Sequence, residues 1–354
     1  MAQGAPSRAE QEPFVLLITD RPDARRPLAR AIERVIACRT VGPGLSPVGG
    51  RPRLIVIDLD PSGVDRAYAD AVVVRGGRLP SLVLRRDGPP SAPASPTLRS
   101  LPANAPQETI LAGIFGMIEE DGLRARRLAA RSASATGIVA EMFDSAALGA
   151  GLQQADADRG TEIVLEAVSE AGVGDWLATV WRYDTGVYQH TLGVAGYAAA
   201  FGSQIGLGRA DHHRLAKAAL LHDIGKSRIP SEILNKPAGL TPEEQRLMRR
   251  HPDIGADLLV AQGGFEPAII DVVRHHHERI DGTGYPAGLS GSAIADLVRV
   301  VAICDVFSAL TERRSYRDAI ASSEALATMV RMRGHLDVAL MRTFEPVARS
   351  GTFV

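Results

Sequence analysis

Short apolar runs without helical spacing mark the first part of the chain. FVLLITD (14–20), RLIVIDLD (53–60) and LPSLVLRRD (79–87) each have the length of a strand. Continuous apolar runs of this kind are typical of strands buried on both faces of a parallel sheet. Residues 24–37 have helical spacing instead, and residues 88–106, rich in Pro, Ser and Ala, are expected to be irregular. The pattern predicts an N-terminal α/β domain.

From Pro106 onward the apolar residues recur at helical spacing. The first stretch, residues 107–133, carries an apolar stripe made of Ile110, Ile114, Met117 and Ile118. The stripe predicts either a connecting helix, residues 107–140, whose seam joins two chains as a homodimer, or an amphipathic helix docked on its own domain. Both readings stay open, because three glycines inside the stretch weaken a long coiled coil.

The remainder of the chain is predicted to consist of helices joined by short loops. The clearest helices are residues 215–226, 241–260 and 297–314. At the start of the second, Thr241 and Glu244 have the spacing of a capping box, with Pro242 at the first helical position. The predicted fold class is therefore multidomain, with an α/β, flavodoxin-like parallel sheet followed by an all-α helical bundle.

Length and composition agree with two globular domains. The chain has 354 residues, and the predicted domains are residues 1–125 and 141–354 with the connecting helix between them. A net charge of −1 argues against a broad basic surface for a nucleic acid polymer. Two cysteines give no disulfide framework, no apolar run is long enough to span a membrane, and the N-terminus is polar. A cytoplasmic protein without a membrane segment is expected.

Histidine and aspartate residues are concentrated at a few points of the helical part. The run HHHERIDGTGYP begins at His275, and the adjacent pair His222–Asp223 ends the apolar stretch AALLHD. A charged aspartate is costly to bury without a partner, which here is either Lys226 or a bound cation. A lone histidine is more often hydrogen-bonded or solvent-facing, but adjacent His–Asp and His–His pairs on apolar helices indicate a metal site.

The adjacent pairs favour two ions over one. Neighbouring residues on a helix point about 100° apart, so they can reach two ions lying side by side, and the two oxygens of Asp223 can bridge them. Imidazole and carboxylate ligands without cysteine indicate Fe, Mn or Zn with open positions rather than a closed structural zinc site. Two ions about 3.5–4 Å apart are a common arrangement for phosphoester hydrolysis.

Five motifs in order carry a resemblance to a known family. LLHDIGK, IPSEILNKPAGLTPEE, HPDIGADLL, HHERIDGTGYPAGLSG and DVFSALTERRSYRDA resemble the HD-GYP family of cyclic di-GMP phosphodiesterases, a branch of the HD-superfamily metal phosphohydrolases. The resemblance implies two divalent metal ions, with iron or manganese favoured. The ligands of the first would be His190, His222, Asp223 and Asp305. The ligands of the second would be Asp223, His251, His276 and His277, with His275 as a packed or hydrogen-bonded neighbour.

The resemblance also implies the residues that meet the substrate, cyclic di-GMP. Lys226 would contact the scissile phosphate and act in catalysis with Asp223, although a simple ion pair between the two is the alternative. Gly284, Tyr285 and Pro286 would shape the pocket mouth, where glycine lets backbone approach the ligand.

Two arginines further along complete the expected substrate contacts. Arg314 and Arg317 match the family's arginine-proline-tyrosine-arginine motif, with Ser315 in place of proline. Arg317 as a solvated helix-end charge is the alternative. The remaining histidines lie in polar stretches and are expected at the surface: His212, His213 and His335.

Some members of the family hold a third ion with a glutamate four residues before the first histidine ligand. Gly186 stands at that position here and has no side chain, and the nearest acid, Asp184, is six residues before His190. At 100° per residue Asp184 points away from the histidine. The sequence therefore predicts two metals and no third, so that the linear dinucleotide accumulates before it is cleaved to the mononucleotide.

The N-terminal half resembles a degenerate response-regulator receiver domain. Asp58 stands where the phospho-acceptor would be, and Asp20 where an acid of the receiver's metal site would be. Receivers have two adjacent acids after the first strand, whereas here Asp20 is followed by Arg21. They have Lys-Pro after the fifth strand, where this chain has Leu101-Pro102, and Thr or Ser after the fourth strand, where this chain has arginines. These departures predict a docking module for a partner protein rather than a phosphorylated switch.

These features together predict an enzyme that hydrolyses cyclic di-GMP to the linear dinucleotide pGpG and, more slowly, on to GMP. The rival from another class is a non-catalytic signalling module that binds nucleotide or a partner protein through the same fold. Every predicted metal ligand is present, which favours the enzyme. A different HD phosphohydrolase substrate is a second rival, against which the histidine run and the GYP turn argue.

Overall fold

The computed structural model describes residues 12–43, 52–60, 79–86, 97–182, 187–236, 238–312, 320–332 and 334–350. The chain divides into two compact units, which meet in the sequence between Arg126 and Arg127. A long helix, α2 (Gln107–Leu148), runs across this boundary in the sequence.

The first unit is built on a five-stranded parallel sheet. Its elements are β1 (Phe14–Thr19), α1 (Pro22–Glu33), β2 (Ala37–Val41), β3 (Pro52–Asp58), β4 (Ser81–Arg85) and β5 (Leu98–Pro102), followed by α2. The strand order is β2-β1-β3-β4-β5, and every pairing is parallel. This is the flavodoxin-like order, in which ligands bind at the carboxyl edge of the sheet where the strand order reverses. The α/β prediction is confirmed.

Two short strands depart from the sequence prediction. The helix expected over 24–37 ends at Glu33, and Ala37–Val41 forms β2. The stretch 88–106, expected to be irregular, contains β5. Both strands lie at the edges of the sheet and are partly exposed, so neither carries the continuous apolar run that marks a central strand.

The apolar stripe at the start of α2 is buried in the first unit. Ile110, Ile114 and Met117 pack in one cluster with Val15 and Leu82 of the sheet. Successive side chains of a strand point to opposite faces, which puts these two sheet residues on the face that α2 covers. The stripe is therefore docked on its own sheet, and these three side chains are not available as a dimer seam.

The second unit is largely helical, as predicted. Its helices are the C-terminal part of α2, α3 (Gln154–Val180), α4 (Val187–Gln204), α5 (Arg209–Leu221), α6 (Ser231–Leu234), α7 (Pro242–Met248), α8 (His251–Gln262), α9 (Pro267–His275), α10 (Asp296–Thr311), α11 (Ser322–Arg331) and α12 (Val338–Ser350). Its core is centred on large buried side chains, namely Trp176, Tyr197, Phe201, Phe307 and Phe344. Within the described residues, no helix combines the length and the apolarity that crossing a membrane needs.

The helix predicted over 241–260 is two helices. The capping box at Thr241 and Glu244 is present, but α7 ends at Met248 and α8 begins at His251. Pro252 has no N–H to donate to the carbonyl of Met248, four residues earlier. That carbonyl accepts a hydrogen bond from His251 Nδ1 instead, at 2.8 Å. The break therefore fixes the orientation of a candidate metal ligand.

Candidate metal centre

The ends of several helices bring the predicted ligands together. His222 caps the end of α5, His251 begins α8, and His276 caps the end of α9. Asp223 leads into a 3₁₀ helix, Ile224–Arg228, so it follows α5 rather than lying on it as the sequence suggested. The remaining ligands lie on α4 (His190), directly after His276 (His277), and on α10 (Asp305).

A glycine allows the 3₁₀ helix to touch α8. A Cβ atom on Gly225 would stand 2.0 Å from the backbone oxygen of His251, a distance that no real Cβ tolerates. The absence of a side chain at this position in HDIGK lets Asp223 lie beside His251. The carboxylate Oδ1 is 3.2 Å from Nε2 of that histidine.

The donor atoms form two sets that meet at Asp223. One set is His190, His222 and Asp305; the other is Asp223, His251, His276 and His277. Oδ2 of Asp223 faces the first set, 3.3 Å from His222 Nε2 and 3.8 Å from His190 Nε2. Oδ1 faces the second set, 3.2 Å from His251 Nε2 and 3.7 Å from His276 Nε2. The cluster could hold metal, with Asp223 placed between the two sets.

Backbone carbonyls orient three of the imidazoles. Nδ1 of His222, His251 and His276 lies 2.7, 2.8 and 2.9 Å from the carbonyl three residues earlier. A carbonyl only accepts, so each Nδ1 must carry the proton. In the neutral ring Nε2 then presents a lone pair to the centre, as a metal ligand does.

Glu312 orients the fourth imidazole, and sequence reasoning missed it. Its Oε2 lies 2.9 Å from His190 Nδ1, while His190 Nε2 lies 3.0 Å from Asp305 Oδ1. A carboxylate behind a metal-binding histidine fixes the ring and raises its basicity. The signal that could have found it is an acid directly after the last residue of the apolar helix α10, seven residues after Asp305.

Asp223, His276 and His277 are in the charge state that a cation requires, whereas His190 holds a proton that a cation would displace. Burial disfavours ionisation of Asp223, but Lys226 and His222 outweigh it and hold the pKa well below its usual value. Burial lowers the pKa of His277 to about 3, and burial with the neighbouring His277 lowers that of His276. For His190 burial acts in the same direction, but Glu312 and Asp305 raise its pKa to about 10.

Several buried atoms lack the partner that a cation would provide. Among the described residues, Asp223 Oδ1 and His222 Nε2 are buried without a hydrogen bond. His251 Nε2 and His276 Nε2 lie 3.2 Å apart, and both Nδ1 atoms already donate to backbone carbonyls, so in the neutral rings two lone pairs face each other. A cation bound between such atoms would remove the cost of the unpaired buried atoms and of the facing lone pairs. A donor set of imidazoles and carboxylates without thiolate suits a divalent ion.

Lys226 reaches the centre from the same 3₁₀ helix. Its Nζ donates to Asp223 Oδ2 at 2.5 Å, and the pair is three residues apart. The ion pair that the sequence left open is therefore present. Because the lysine side chain is 19% exposed, its ammonium group lies between the buried carboxylate and solvent.

The glycine-tyrosine-proline turn packs on the centre through Tyr285. The tyrosine ring stacks on His277 with 4.8 Å between ring centres and 32° between planes. A Cβ on Gly284 would stand 2.4 Å from the backbone nitrogen of Arg279. The close approach that requires glycine here is to the turn's own backbone. Pro286 follows at the exposed end of the turn.

Glu278, the acid of the HHE motif, anchors the turn. Its side chain is buried and accepts three backbone hydrogen bonds, from Ala287 (2.7 Å), Gly288 (3.1 Å) and Leu289 (3.0 Å). Its role was not predicted from the sequence. A glutamate followed by a glycine-rich turn is the signal, because free backbone N–H groups need an acceptor.

The remaining predicted positions divide into those outside the described residues and histidines that belong to neither donor set. Arg314 and Arg317 fall outside the described residues, as do Asp184 and Gly186. All three histidines expected at the surface, His212, His213 and His335, are half-buried instead. His212 hydrogen-bonds the carbonyl of Ala199 at 2.6 Å, and burial lowers the pKa of His335. Polar neighbours in sequence do not report on contacts made across the fold.

His275 and His213 take no part in either donor set. Nδ1 of His275 lies 3.6 Å from the carboxylate of Glu278, and its Nε2 lies 3.6 Å from that of Asp271. His213 is half-buried, with its Nε2 3.9 Å from Asp158. The first histidine of the run is therefore a neighbour of the centre and not one of its donors.

In the first unit, arginines cover the acids at the carboxyl edge of the sheet. Arg86 donates both terminal nitrogens to the carboxylate of Asp20, and also donates to the backbone oxygen of Asp58 at 2.9 Å. Arg25 donates to Asp58 Oδ2 at 2.7 Å. Burial raises the pKa of Asp58, but Arg25 and Arg86 outweigh it and the pKa is lowered.

Comparison with known proteins gives one family match and several relatives. Residues 178–340 match the HD domain family. A cyclic di-GMP phosphodiesterase of Pseudomonas aeruginosa is 37% identical over 228 residues, which cover 64% of this chain and 54% of that protein. A 3'3'-cGAMP-specific phosphodiesterase of Vibrio cholerae is 37% identical over 140 residues, 40% of this chain and 30% of that protein. The chain thus spans about half or less of the length of these relatives.

One solved structure has a similar fold. The HDG"Y"P protein of Bdellovibrio bacteriovorus superposes with a TM-score of 0.50 at 20% identity, covering 61% of this chain and 70% of that one.

Proposed function

We propose that residues 178–340, which match the HD domain family, form a metal-dependent phosphodiesterase of the HD-GYP type that hydrolyses cyclic di-GMP. The observation that carries the proposal is the position of Asp223, whose two oxygens face two separate sets of donors. The names of the relatives support the substrate class, a cyclic dinucleotide containing guanine.

The proposed centre holds two divalent ions, iron or manganese. His190, His222, Asp223 and Asp305 hold one; Asp223, His251, His276 and His277 hold the other. Bound ions supply Lewis-acid chemistry, neutralising phosphate charge and making water acidic enough to act as a nucleophile. The protein fixes the imidazoles by their second nitrogens, so the donors are ordered before any ion binds.

Lys226 is proposed to meet the scissile phosphate. Its ammonium group lies against Asp223 in the absence of substrate. When substrate binds, the lysine would turn toward a phosphate oxygen and stabilise the negative charge that develops there. Arg314 and Arg317 stay proposed substrate ligands by resemblance, with Tyr285, Gly284 and Pro286 bordering the pocket.

The rival candidate is a non-catalytic module that binds nucleotide or a protein. The test is metal analysis of protein purified without oxygen, together with assays on cyclic di-GMP, 3′,3′-cyclic GMP-AMP and cyclic di-AMP. Hydrolysis of cyclic di-GMP at the highest kcat/KM, with two ions per chain, supports the proposal. Two ions with binding but no hydrolysis of any of the three would favour the rival.

A variant of Lys226 separates its role from that of the metal ligands. Lys226→Ala is expected to keep its metal and to lose kcat, whereas Lys217→Ala, which removes a lysine paired with Asp158, is the matched control for a lost ammonium group. Wild-type turnover by Lys226→Ala would show that the lysine has no role in catalysis.

The first unit is proposed to be a degenerate receiver-like domain, residues 1–125, that docks a partner protein. Arg86 pairs with the carboxylate of Asp20, and Arg25 and Arg86 both donate to that of Asp58, the two acids that a receiver would use to bind a cation. Incubation with acetyl phosphate or beryllofluoride is expected to leave both phosphodiesterase activity and oligomeric state unchanged. A response present in wild type and absent in Asp58→Ala would contradict this assignment.

Residues 107–140 are proposed to connect this domain to the catalytic domain, residues 141–354. A homodimer formed through the connecting helix would need a surface other than the buried stripe at Ile110, Ile114 and Met117.

A further inference from the structure

A stack of side chains leads from the candidate centre to solvent. It begins at the buried His276, whose ring centre lies 4.1 Å from that of His277. His277 is 26% exposed and stacks on the half-buried Tyr285. The guanidinium carbon of Arg249 lies over the Tyr285 ring, 4.5 Å from its centre, and Arg249 is exposed. The Tyr285 ring alone therefore lies between this cation and His277, a candidate metal ligand.

Arg249 is held in place by its backbone as well as by the ring. It caps the end of α7, and its N–H donates to the carbonyls of Gln245 and Leu247. The side chain leaves the helix at the break before α8, two residues before His251. The break that orients His251 thus also directs Arg249 toward the turn at Tyr285.

The guanidinium has no acidic partner within the described residues. No carboxylate there lies within ion-pair distance of Arg249, unlike Lys226, which rests on Asp223. A guanidinium that stacks on an aromatic face keeps its in-plane N–H donors free, and two of them match the oxygens of a phosphate. The Tyr285 ring therefore holds the arginine in place, and no carboxylate among the described residues neutralises its charge.

The chemistry of the proposed substrate supplies an anion of the right kind. A cyclic dinucleotide carries two phosphates on opposite sides of its ring, so when one is at the metal centre the other lies away from it. Resting on the proposed function, we propose that Arg249 binds this second, non-scissile phosphate and so selects cyclic dinucleotides over simple phosphodiesters. Tyr285 is then the platform that holds the guanidinium beside the centre.

The experiment compares Arg249→Ala with Arg250→Ala in the metal-loaded full chain. Arg250 is the adjacent arginine, equally exposed, and among the described residues it stacks on no ring. Each protein is assayed with cyclic di-GMP, which has the second phosphate, and with bis(p-nitrophenyl) phosphate, which lacks it. Cyclic di-GMP affinity is also measured calorimetrically on the metal-free proteins, as a readout that does not need turnover.

Arg249→Ala is expected to raise KM for cyclic di-GMP by about tenfold, equivalent to about 1.4 kcal/mol, and to change kcat much less. The kcat/KM loss on bis(p-nitrophenyl) phosphate should be several-fold smaller than the loss on cyclic di-GMP. Arg250→Ala should stay within about twofold of wild type on both. Arg249→Lys should recover part of the lost affinity, because the charge returns without the planar fork.

Two results would overturn the inference while leaving the proposed function intact. Equal behaviour of Arg249→Ala and Arg250→Ala would show that the guanidinium meets no substrate group. Equal losses on both substrates would show that it only positions Tyr285 and His277. If wild type hydrolyses bis(p-nitrophenyl) phosphate but not cyclic di-GMP, the proposed substrate is wrong, and calorimetry alone then tests the role of Arg249. A weaker affinity for cyclic di-GMP in Arg249→Ala than in Arg250→Ala would support that role. Equal affinities, or no binding at all, would overturn it.

Discussion

Replacement of Glu278 by glutamine tests whether the turn beside the metal centre depends on one buried carboxylate. Oε1 accepts from Ala287 and Gly288, and Oε2 accepts from Leu289. Glutamine keeps one oxygen for the first two donors but sets an NH₂ group against the third. A hydrogen bond to a charged group contributes about 1.5–3 kcal/mol, so losing one bond and the charge behind the other two should cost about 2–3 kcal/mol.

The loss should be visible both globally and locally. For a domain of 150–250 residues, about 2–3 kcal/mol corresponds to a fall in Tm of roughly 5–10 °C. Hydrogen exchange should quicken at the amides of 287–289, and kcat/KM for cyclic di-GMP should fall because Tyr285 is no longer held on His277. Glu243→Gln is the matched control, since that side chain is 71% exposed and its ion pair is with the exposed Arg246. Unchanged Tm and unchanged exchange in Glu278→Gln would refute the anchoring role.

Three further predictions concern the acids Glu312 and Asp58 and the order of the reaction products. Glu312→Gln should weaken metal binding about 10–100-fold, measured by competition with a chelator, because His190 loses the carboxylate behind it. Asp58→Asn should be less stable than wild type in denaturant at pH 7. The folded-state pKa of Asp58 is lowered, so the difference should be complete above about pH 4 and shrink as pH falls further. In a time course with wild type, linear dinucleotide should accumulate before mononucleotide; mononucleotide alone from the first minutes would contradict a two-ion centre.

The central elements of the fold were predictable because burial leaves a strong pattern. The runs at 14–20 and 53–60 mark central strands with apolar residues on both faces, and the structure confirms them. β2 and β5 were missed because edge strands lack that pattern. The break between α7 and α8 was missed although Pro252 signals it, because apolar spacing continues through the break.

The candidate site was predictable where adjacent residues carried the chemistry. His222–Asp223 and His276–His277 are neighbours in the sequence, so their co-location required no knowledge of the fold. Arg249, by contrast, joins the site only through its contact with Tyr285, which is 36 positions away in the sequence. Such contacts depend on helix packing, and no local pattern reports them.

The role of Asp223 as the bridge between two metal sites is tested most directly by the metal content of Asp223→Ala. Wild type and the variant are purified without oxygen, their metal-to-chain ratio is measured, and both are assayed with cyclic di-GMP. Asp211→Ala, which removes an exposed aspartate from the start of α5, controls for the loss of a carboxylate. The account predicts two ions per chain and hydrolysis in wild type and in Asp211→Ala, with both lost together in Asp223→Ala. An Asp223→Ala protein that keeps two ions per chain, or that keeps wild-type turnover, would contradict it.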